Sequence, residues 1–361
     1  MLTAQKYSLL IPTFNRPVLL DALLGYLADK KVQFPIFILD SSSNENKDKN
    51  RFAAKHHALN VRYLKFNEDA RFDHKIGSAL REIDSEYVSL CADDDVVFVE
   101  AIGECIDALD RDAELAACHG VYLNFDIDQP EVRLRIEYAS PSIDSGSVVD
   151  RACQLLIQYE ALNYAVYRRQ VMLDIIDAVS QTPQTMFWEL FCCMAALASG
   201  KVKRLLSLYH ARRSSFVPDR TVFHPATWIA EDPDGFAKAF FAYREHLFKY
   251  YLSKGVEVGP EAKKTLMQAH VIYLCRELRD GSTIRQALAG TSSPLAATQA
   301  VHLSFATRLT SKANKIVGGR IVSFKADRDG VNFKATRAIR AMLSDDAIAD
   351  LSRYCRASDR L

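Results

Sequence analysis

The sequence predicts an α/β fold, a mostly parallel sheet with flanking helices, followed by a helical C-terminal region. Three observations predict it. Short apolar runs at Tyr7–Thr13, Pro35–Asp40, Val61–Phe66 and Tyr87–Leu90 read as buried strands. Helical periodicity lies between them, so strand and helix alternate, which calls for parallel strands joined by right-handed crossovers. Carboxylates then follow two of these strands, Asp40 and the triplet Asp93-Asp94-Asp95, at the ends where open α/β sheets bind ligands.

The elements follow in order. Tyr7-Ser8-Leu9-Leu10-Ile11-Pro12-Thr13 is an apolar run stopped by a proline that cannot donate to a central ladder. Asn15-Arg16-Pro17 turns the chain, and Val18, Leu19, Leu20, Ala22, Leu23, Leu24 and Leu27 recur at helical spacing. The second strand ends in Asp40 and a Ser41-Ser42-Ser43-Asn44 turn, and a helix is expected around Lys49 to Leu59. Val61–Phe66 is the third strand, and a helix over Asp73–Ile83 leads to the strand that ends before the triplet. Thr13, Asp40 and Asp93 to Asp95 are therefore expected in one crevice, although the two acid sites lie roughly fifty residues apart.

Three adjacent carboxylates raise one another's pKa unless something positive sits among them. A hard divalent cation, Mg²⁺ or Mn²⁺, supplies that charge and takes oxygen ligands. Residues two apart on extended backbone point the same way, so Asp93 and Asp95 can converge on one ion. A solvated acidic turn is the alternative.

Together, Ser8-Leu9-Leu10-Ile11-Pro12-Thr13-Phe14-Asn15-Arg16-Pro17, Leu39-Asp40-Ser41-Ser42-Ser43 and the acid triplet resemble a nucleotide-sugar glycosyltransferase of the GT-A (Rossmann-like) fold. More narrowly, the likeness is to the family-2-like enzymes of bacterial surface-polysaccharide synthesis, over about residues 6 to 215. The resemblance implies that Pro12, Thr13, Asn15, Arg16 and Asp40 hold the nucleoside of a nucleotide-sugar donor. It assigns Asp93 and Asp95 to Mn²⁺ or Mg²⁺ on the diphosphate, with Asp94 beside them. The chain departs from the family in its central aspartate, and in Ser-Ser-Ser where many relatives have Asp-Gly-Ser.

The resemblance also implies an inverting transfer with a carboxylate base at a helix start. Glu189 in Phe187-Trp188-Glu189-Leu190, after the breaker Gln181-Thr182-Pro183-Gln184, matches it, and the flanking aromatics are expected to bury it in part. An ordinary helix N-terminal glutamate is the alternative, and Asp144 competes for the role. His210 stands where many such enzymes place a late metal-binding histidine, or is a satisfied lone histidine. Arg212 and Arg213 suit a diphosphate, as guanidinium binds phosphate bidentately, or are solvated. Lys75 either neutralises phosphate or is a solvated helix residue. Tyr164, Tyr167 and Arg168 face a sugar or pack in the core, and Cys192-Cys193 reads as core.

The chain has 361 residues, 49% of them hydrophobic, and a formal net charge of +1, which argues against nucleic acid as a partner. Eight cysteines without disulfide-like or zinc spacing suit a reducing cytoplasm. The N-terminus enters the first strand directly, without a signal-peptide pattern. The expected organisation is a catalytic domain over 1–216, a linker over 217–235 and a helical domain over 236–361. Helices are expected at Phe236–Ser253, Pro260–Arg279, Ser282–Ala289 and Leu295–Ala313. Lys312, Lys315, Arg320, Lys325 and Arg328 bias the tail towards basic residues. That bias suits peripheral contact with an inner membrane surface and a lipid-linked or glycan acceptor, or else a homo-oligomer contact or cap with a solvated face. A non-catalytic subunit of the same fold, or a sugar nucleotidyltransferase, is the competing function; the latter needs a Gly-rich phosphate loop that Pro12–Pro17 lacks.

Overall fold

The structure is a computed structural model that describes residues 6–128, 131–136, 138, 140–181, 185–214, 228, 232–274, 321–326 and 331–358. Its parallel centre is β1 (Tyr7–Thr13), β2 (Ile36–Asp40), β3 (Val61–Lys65) and β4 (Tyr87–Leu90), in the order β3-β2-β1-β4. The crossovers are α1 (Pro17–Asp29), α2 (Asn44–His56) and α3 (Phe72–Glu82). Pro17 sits at the first helical position of α1, where its missing N–H costs nothing. The second helix begins at Asn44, earlier than the periodicity around Lys49 suggests, because Ser43 already turns the chain off β2.

Side-chain alternation divides the core between the two faces of the sheet. Leu9, Ile11, Ile36 and Ile38 pack on one side; Leu10, Phe37 and Leu39 pack on the other. This two-residue period with both faces apolar is what a strand covered by helices on each side requires. Each such fully buried side chain contributes about 1.5–3 kcal/mol relative to exposure.

Beyond the triplet come β5 (Val96–Val97), α4 (Val99–Arg111), the long β6 (Leu115–Asp128) and β7 (Glu131–Ile136). Next are α5 (Val148–Ile157), a 3-10 turn at Leu162–Tyr164, β8 (Val166–Arg168), α6 (Arg169–Val179), α7 (Thr185–Ser199) and β9 (Lys201–Arg213). β8 runs antiparallel between β4 and β6, and β9 pairs with both β6 and β5. Gly120 allows the close approach of β6 and β9, since a Cβ there would stand 2.2 Å from the Ser207 carbonyl oxygen.

The tail corrects the expectation of a wholly helical C-terminal region. α8 (Pro233–Ser253) and α9 (Pro260–Leu274) are helices, but β10 (Ile321–Lys325) and β11 (Asn332–Thr336) form a hairpin. β11 extends the main sheet by pairing parallel with β7. After α10 (Arg337–Met342), α11 (Asp345–Ser358) packs on α1, with Lys30 Nζ 2.5 Å from the buried Asp350. Strand period explains the difference: Phe333 and Ala335 point into the core between less buried neighbours, and the interleaved lysines mimic a solvated helix face. Lys325 is exposed on β10, whereas Lys312, Lys315, Arg320, Arg328 and the helices expected at 282–289 and 295–313 lie outside the described residues. The expected linker begins outside them too, and its end is already α8. Among the described residues no helix is long and apolar enough to cross a membrane.

Candidate active site

Register builds the crevice. Thr13 and Asp40 are direct partners across β1 and β2, and β1 runs parallel to β4, whose end opens into Ala92–Asp95. The β1–α1 loop is stitched to the β2–α2 loop through Asn15, which takes a left-handed backbone (φ 56°) that asparagine tolerates. Its N–H donates to Ser42 Oγ at 2.8 Å, and its Oδ1 accepts from Ser43 N at 2.9 Å and Asn46 Nδ2 at 3.0 Å. Pro12 lies at the strand end beside Leu39.

Asp40 is wholly buried and already occupied. Its Oδ1 accepts from Ser42 N at 2.7 Å; its Oδ2 accepts from Asn50 Nδ2 at 2.8 Å and from the Tyr63 hydroxyl. It thus organises the loop, Asn50 and Tyr63 around itself. Lys75 corrects the picture of a solvated helix residue: it is buried and donates to Ser41 Oγ at 2.8 Å, its one hydrogen-bond acceptor among the described residues. Burial pulls its pKa down, against the charges of Asp40 and Asp93.

The acid triplet divides its partners. Asp93 accepts from Thr13 Oγ1 at 2.7 Å and from Arg16 Nη1 at 3.2 Å; Asp94 accepts from the same Nη1 at 2.6 Å. Positive charge among these carboxylates therefore comes from the protein itself, through Arg16. Burial, and then the Asp94 charge, still push Asp93 up to about 6. Asp94 is raised as well, by burial and by Asp95.

Asp95 is served from β9. Antiparallel pairing sets Val97 opposite His210 and Val96 opposite Ala211. His210 Nε2 consequently lies 3.0 Å from Asp95 Oδ2, and Arg213 N donates to Oδ1 at 2.9 Å. His210 is fully buried and its Nδ1 has no partner among the described residues. Arg212 Nη1 reaches the Tyr138 hydroxyl at 3.3 Å, and its guanidinium stands 5.9 Å from the Tyr164 ring, itself 5.1 Å from His210.

No group of three metal-ligating side chains is assembled among the described residues. The donor set nevertheless fits a hard or borderline divalent ion: carboxylate oxygens, plus the buried His210 imidazole, whose Nε2, not its unpartnered Nδ1, faces Asp95. Two ligands at about 2.1 Å from one ion stand about 3 Å apart, the spacing of Asp95 and His210.

Glu189 departs from the expectation of partial burial. Phe187 is buried and Trp188 packs on Phe72 at 5.0 Å, but Glu189 itself is exposed on α7, its Oε1 accepting from the Tyr159 hydroxyl. The charges of Asp95 and Glu189 both act on the Tyr164 hydroxyl, whose pKa is raised first of all by burial. Asp144 is elsewhere: its neighbour Ile143 bridges Val202 at the start of β9, and its charge acts on Lys201. Tyr167 is buried with its hydroxyl on the Leu162 carbonyl, and Arg168 holds the carbonyls of Leu109, Asp112 and Leu115. Both are packing residues, as are buried Cys192 and Cys193.

Sequence reasoning missed Tyr63, Asn50, Tyr159 and Glu160. Glu160 is buried, accepts from the Ser140 hydroxyl, and has His119 Nδ1 at 3.4 Å. Burial raises its pKa to about 7 against Arg204, and burial lowers His119 to about 4, so the two do not form an ion pair at neutral pH. An aspartate with three protein donors leaves no trace in spacing; the Tyr159-Glu160 pair after α5 was the one available signal.

Residues 8–176 match Glycosyl transferase family 2. No curated protein matches the sequence. Among solved structures, S. aureus TarS 1-349 in complex with UDP is similar at TM-score 0.52 and 14% identity, covering 79% of this chain and 75% of that one. S. aureus TarS itself is similar at TM-score 0.44 and 15% identity, covering 83% of this chain and 55% of that one. The mannosyltransferase PcManGT from Pyrobaculum calidifontis, in complex with GDP-Man and Mn²⁺, has TM-score 0.40 and 14% identity, covering 99% of this chain and 88% of that one. The TarS–UDP likeness agrees with the α/β fold of GT-A type.

Proposed function

We propose, taking as premise that the chain carries a glycosyltransferase domain over residues 8–176, that it is an inverting, metal-dependent enzyme. It would move a sugar from a nucleotide-sugar donor to a glycan or lipid-linked acceptor of a surface polysaccharide. The observation that carries this reading is the meeting of Asp95 and His210, 115 residues apart in sequence, in the crevice that also holds Thr13, Arg16, Lys75 and Asp93.

Asp95, His210 and Asp93 would hold the ion, whose chemistry is to offset charge developing on the departing diphosphate. Lys75, a buried cation with one acceptor, and Arg16 are the protein's own groups for phosphate oxygens. Asp40 sets the walls of the nucleoside pocket through Ser42, Asn50 and Tyr63. Glu189 takes the proton of the acceptor hydroxyl as that oxygen bonds to the anomeric carbon. The bond from that carbon to the diphosphate breaks, and its electron pair leaves with the phosphate.

A thermal-shift series with UDP, GDP, CDP and TDP, each with and without Mn²⁺, tests the donor site on wild type and Asp95→Ala. One nucleoside diphosphate should stabilise the wild type only with Mn²⁺ and leave the variant unmoved. Stabilisation indifferent to both metal and Asp95 would remove the metal from the reading. Glu189→Gln should lower turnover about 100- to 10,000-fold while keeping the nucleotide shift.

A further inference from the structure

Tyr159 lies on the connection between α5 and the 3-10 turn, outside every motif that carries the proposed function. Its ring packs against that of Tyr273 on α9, with centroids 4.8 Å apart. Its hydroxyl donates to Glu189 Oε1 at 2.5 Å and stands 3.9 Å from Cys193 Sγ, which accepts from Leu162 N at 3.4 Å. The hydroxyl stays protonated at any working pH: burial, then the neighbouring Cys193 and Glu189, push its pKa well up.

Glu189 points from an exposed helix position, where a glutamate samples many rotamers and holding it in one costs conformational entropy. A tyrosine has two torsions, and here its ring is braced by a second ring. It is therefore a rigid donor aimed at one carboxylate oxygen. Cys193 lies on α7 with Glu189, so the hydroxyl touches α7 at two residues one turn apart.

We propose that Tyr159 is a positioning residue for the acceptor base: it holds Oε1 of Glu189 and leaves Oε2 to receive the acceptor's proton. This rests on Glu189 being the base. Through Tyr273, α9 also enters the chemistry, which gives the region after residue 232 a part in catalysis without contact with the donor.

The test uses the full chain as wild type, Tyr159→Phe, Glu189→Gln and the double variant. Each hydrolyses the nucleotide sugar that stabilises the wild type most, chosen from UDP-N-acetylglucosamine, UDP-glucose, GDP-mannose and TDP-rhamnose, with water in place of the acceptor. Tyr159→Phe is expected to lower kcat about 10- to 100-fold, with KM within about twofold and the nucleotide thermal shift unchanged. In the Glu189→Gln background the same change should cost nothing further, since the group it positions is gone. Tyr273→Ala should reproduce part of the loss. A wild-type kcat in Tyr159→Phe, or a full additive loss in the double variant, overturns the positioning role while leaving the base intact. A wild-type kcat in Glu189→Gln removes the base assignment, and the positioning role with it.

Discussion

Arg16 is the residue on which the acid triplet turns. One guanidinium nitrogen bonds both Asp93 and Asp94, so the protein partly neutralises its own carboxylates before any ligand arrives. A cation binding there must compete with that contact, and a diphosphate that draws Arg16 away should make the competition easier; the two ligands are then positively coupled. Arg16→Gln is expected to bind Mn²⁺ alone about 10-fold more tightly than wild type by calorimetry, and to reduce the gain in Mn²⁺ affinity that a nucleoside diphosphate confers. Equal Mn²⁺ affinities would mean that Arg16 does not compete. Glu160 supplies a second prediction. Its folded pKa is raised from 4.5 to about 7, so its stabilisation is complete below its unfolded value and is lost as pH rises through about 7. His119 works the other way: lowered from 6.5 to about 4, it contributes stability above its unfolded value that is lost as pH falls through about 4. Glu160→Gln should therefore melt progressively higher than wild type as pH rises from about 5 to 8. A constant difference in Tm across that range would count against a buried, titrating Glu160.

The element that matters most is β9, because it carries His210 and the Arg213 N–H to Asp95, in a crevice otherwise made by the first half of the chain. Its position depends on pairing with β6 on one side and with the two-residue β5 on the other. At Gly120, in the register break between His119 and Val121, β9 comes so close that a Cβ would meet the Ser207 carbonyl oxygen at 2.2 Å and Tyr209 Cβ at 2.8 Å. Gly120→Ala must push β9 outward, and with it His210. A stability loss of about 2–4 kcal/mol is expected by urea titration, together with weakened Mn²⁺ binding. Gly103→Ala, in α4 with open space at its Cβ, should be neutral or slightly stabilising by the same measurements.

The whole molecule is closed by its tail. β11 covers the edge of β7, and α11 lies on α1 through the Lys30–Asp350 contact and a second ion pair, Arg353 with Asp29. Tyr354 of α11 packs on Phe125 of β6, and its hydroxyl pKa is raised by burial and then by the charges of Asp95 and Asp94. Removing residues 321–361 should uncover the β7 edge and lower Tm by at least about 10 °C. The same truncation should abolish the stabilisation by nucleoside diphosphate. Retention of that stabilisation would make the tail a separate attachment.

What the sequence determined by itself is whatever depends on neighbours in the chain. Apolar runs, helical spacing and Pro17 marked the parallel centre, and strand ends placed Thr13, Asp40 and the triplet at one end of the sheet. The tertiary structure decided partners. No spacing could tell that Arg16 would supply the triplet's positive charge, that Asp40 would be saturated by Ser42, Asn50 and Tyr63, or that Tyr159 would reach Glu189. Nor could it show that Ile321–Lys325 and Asn332–Thr336 would join the main sheet beside β7, since strand pairing is settled by which edge remains uncovered. Charge and hydrogen-bond satisfaction act across space over a few ångströms, and only the packed fold sets which groups come within that reach.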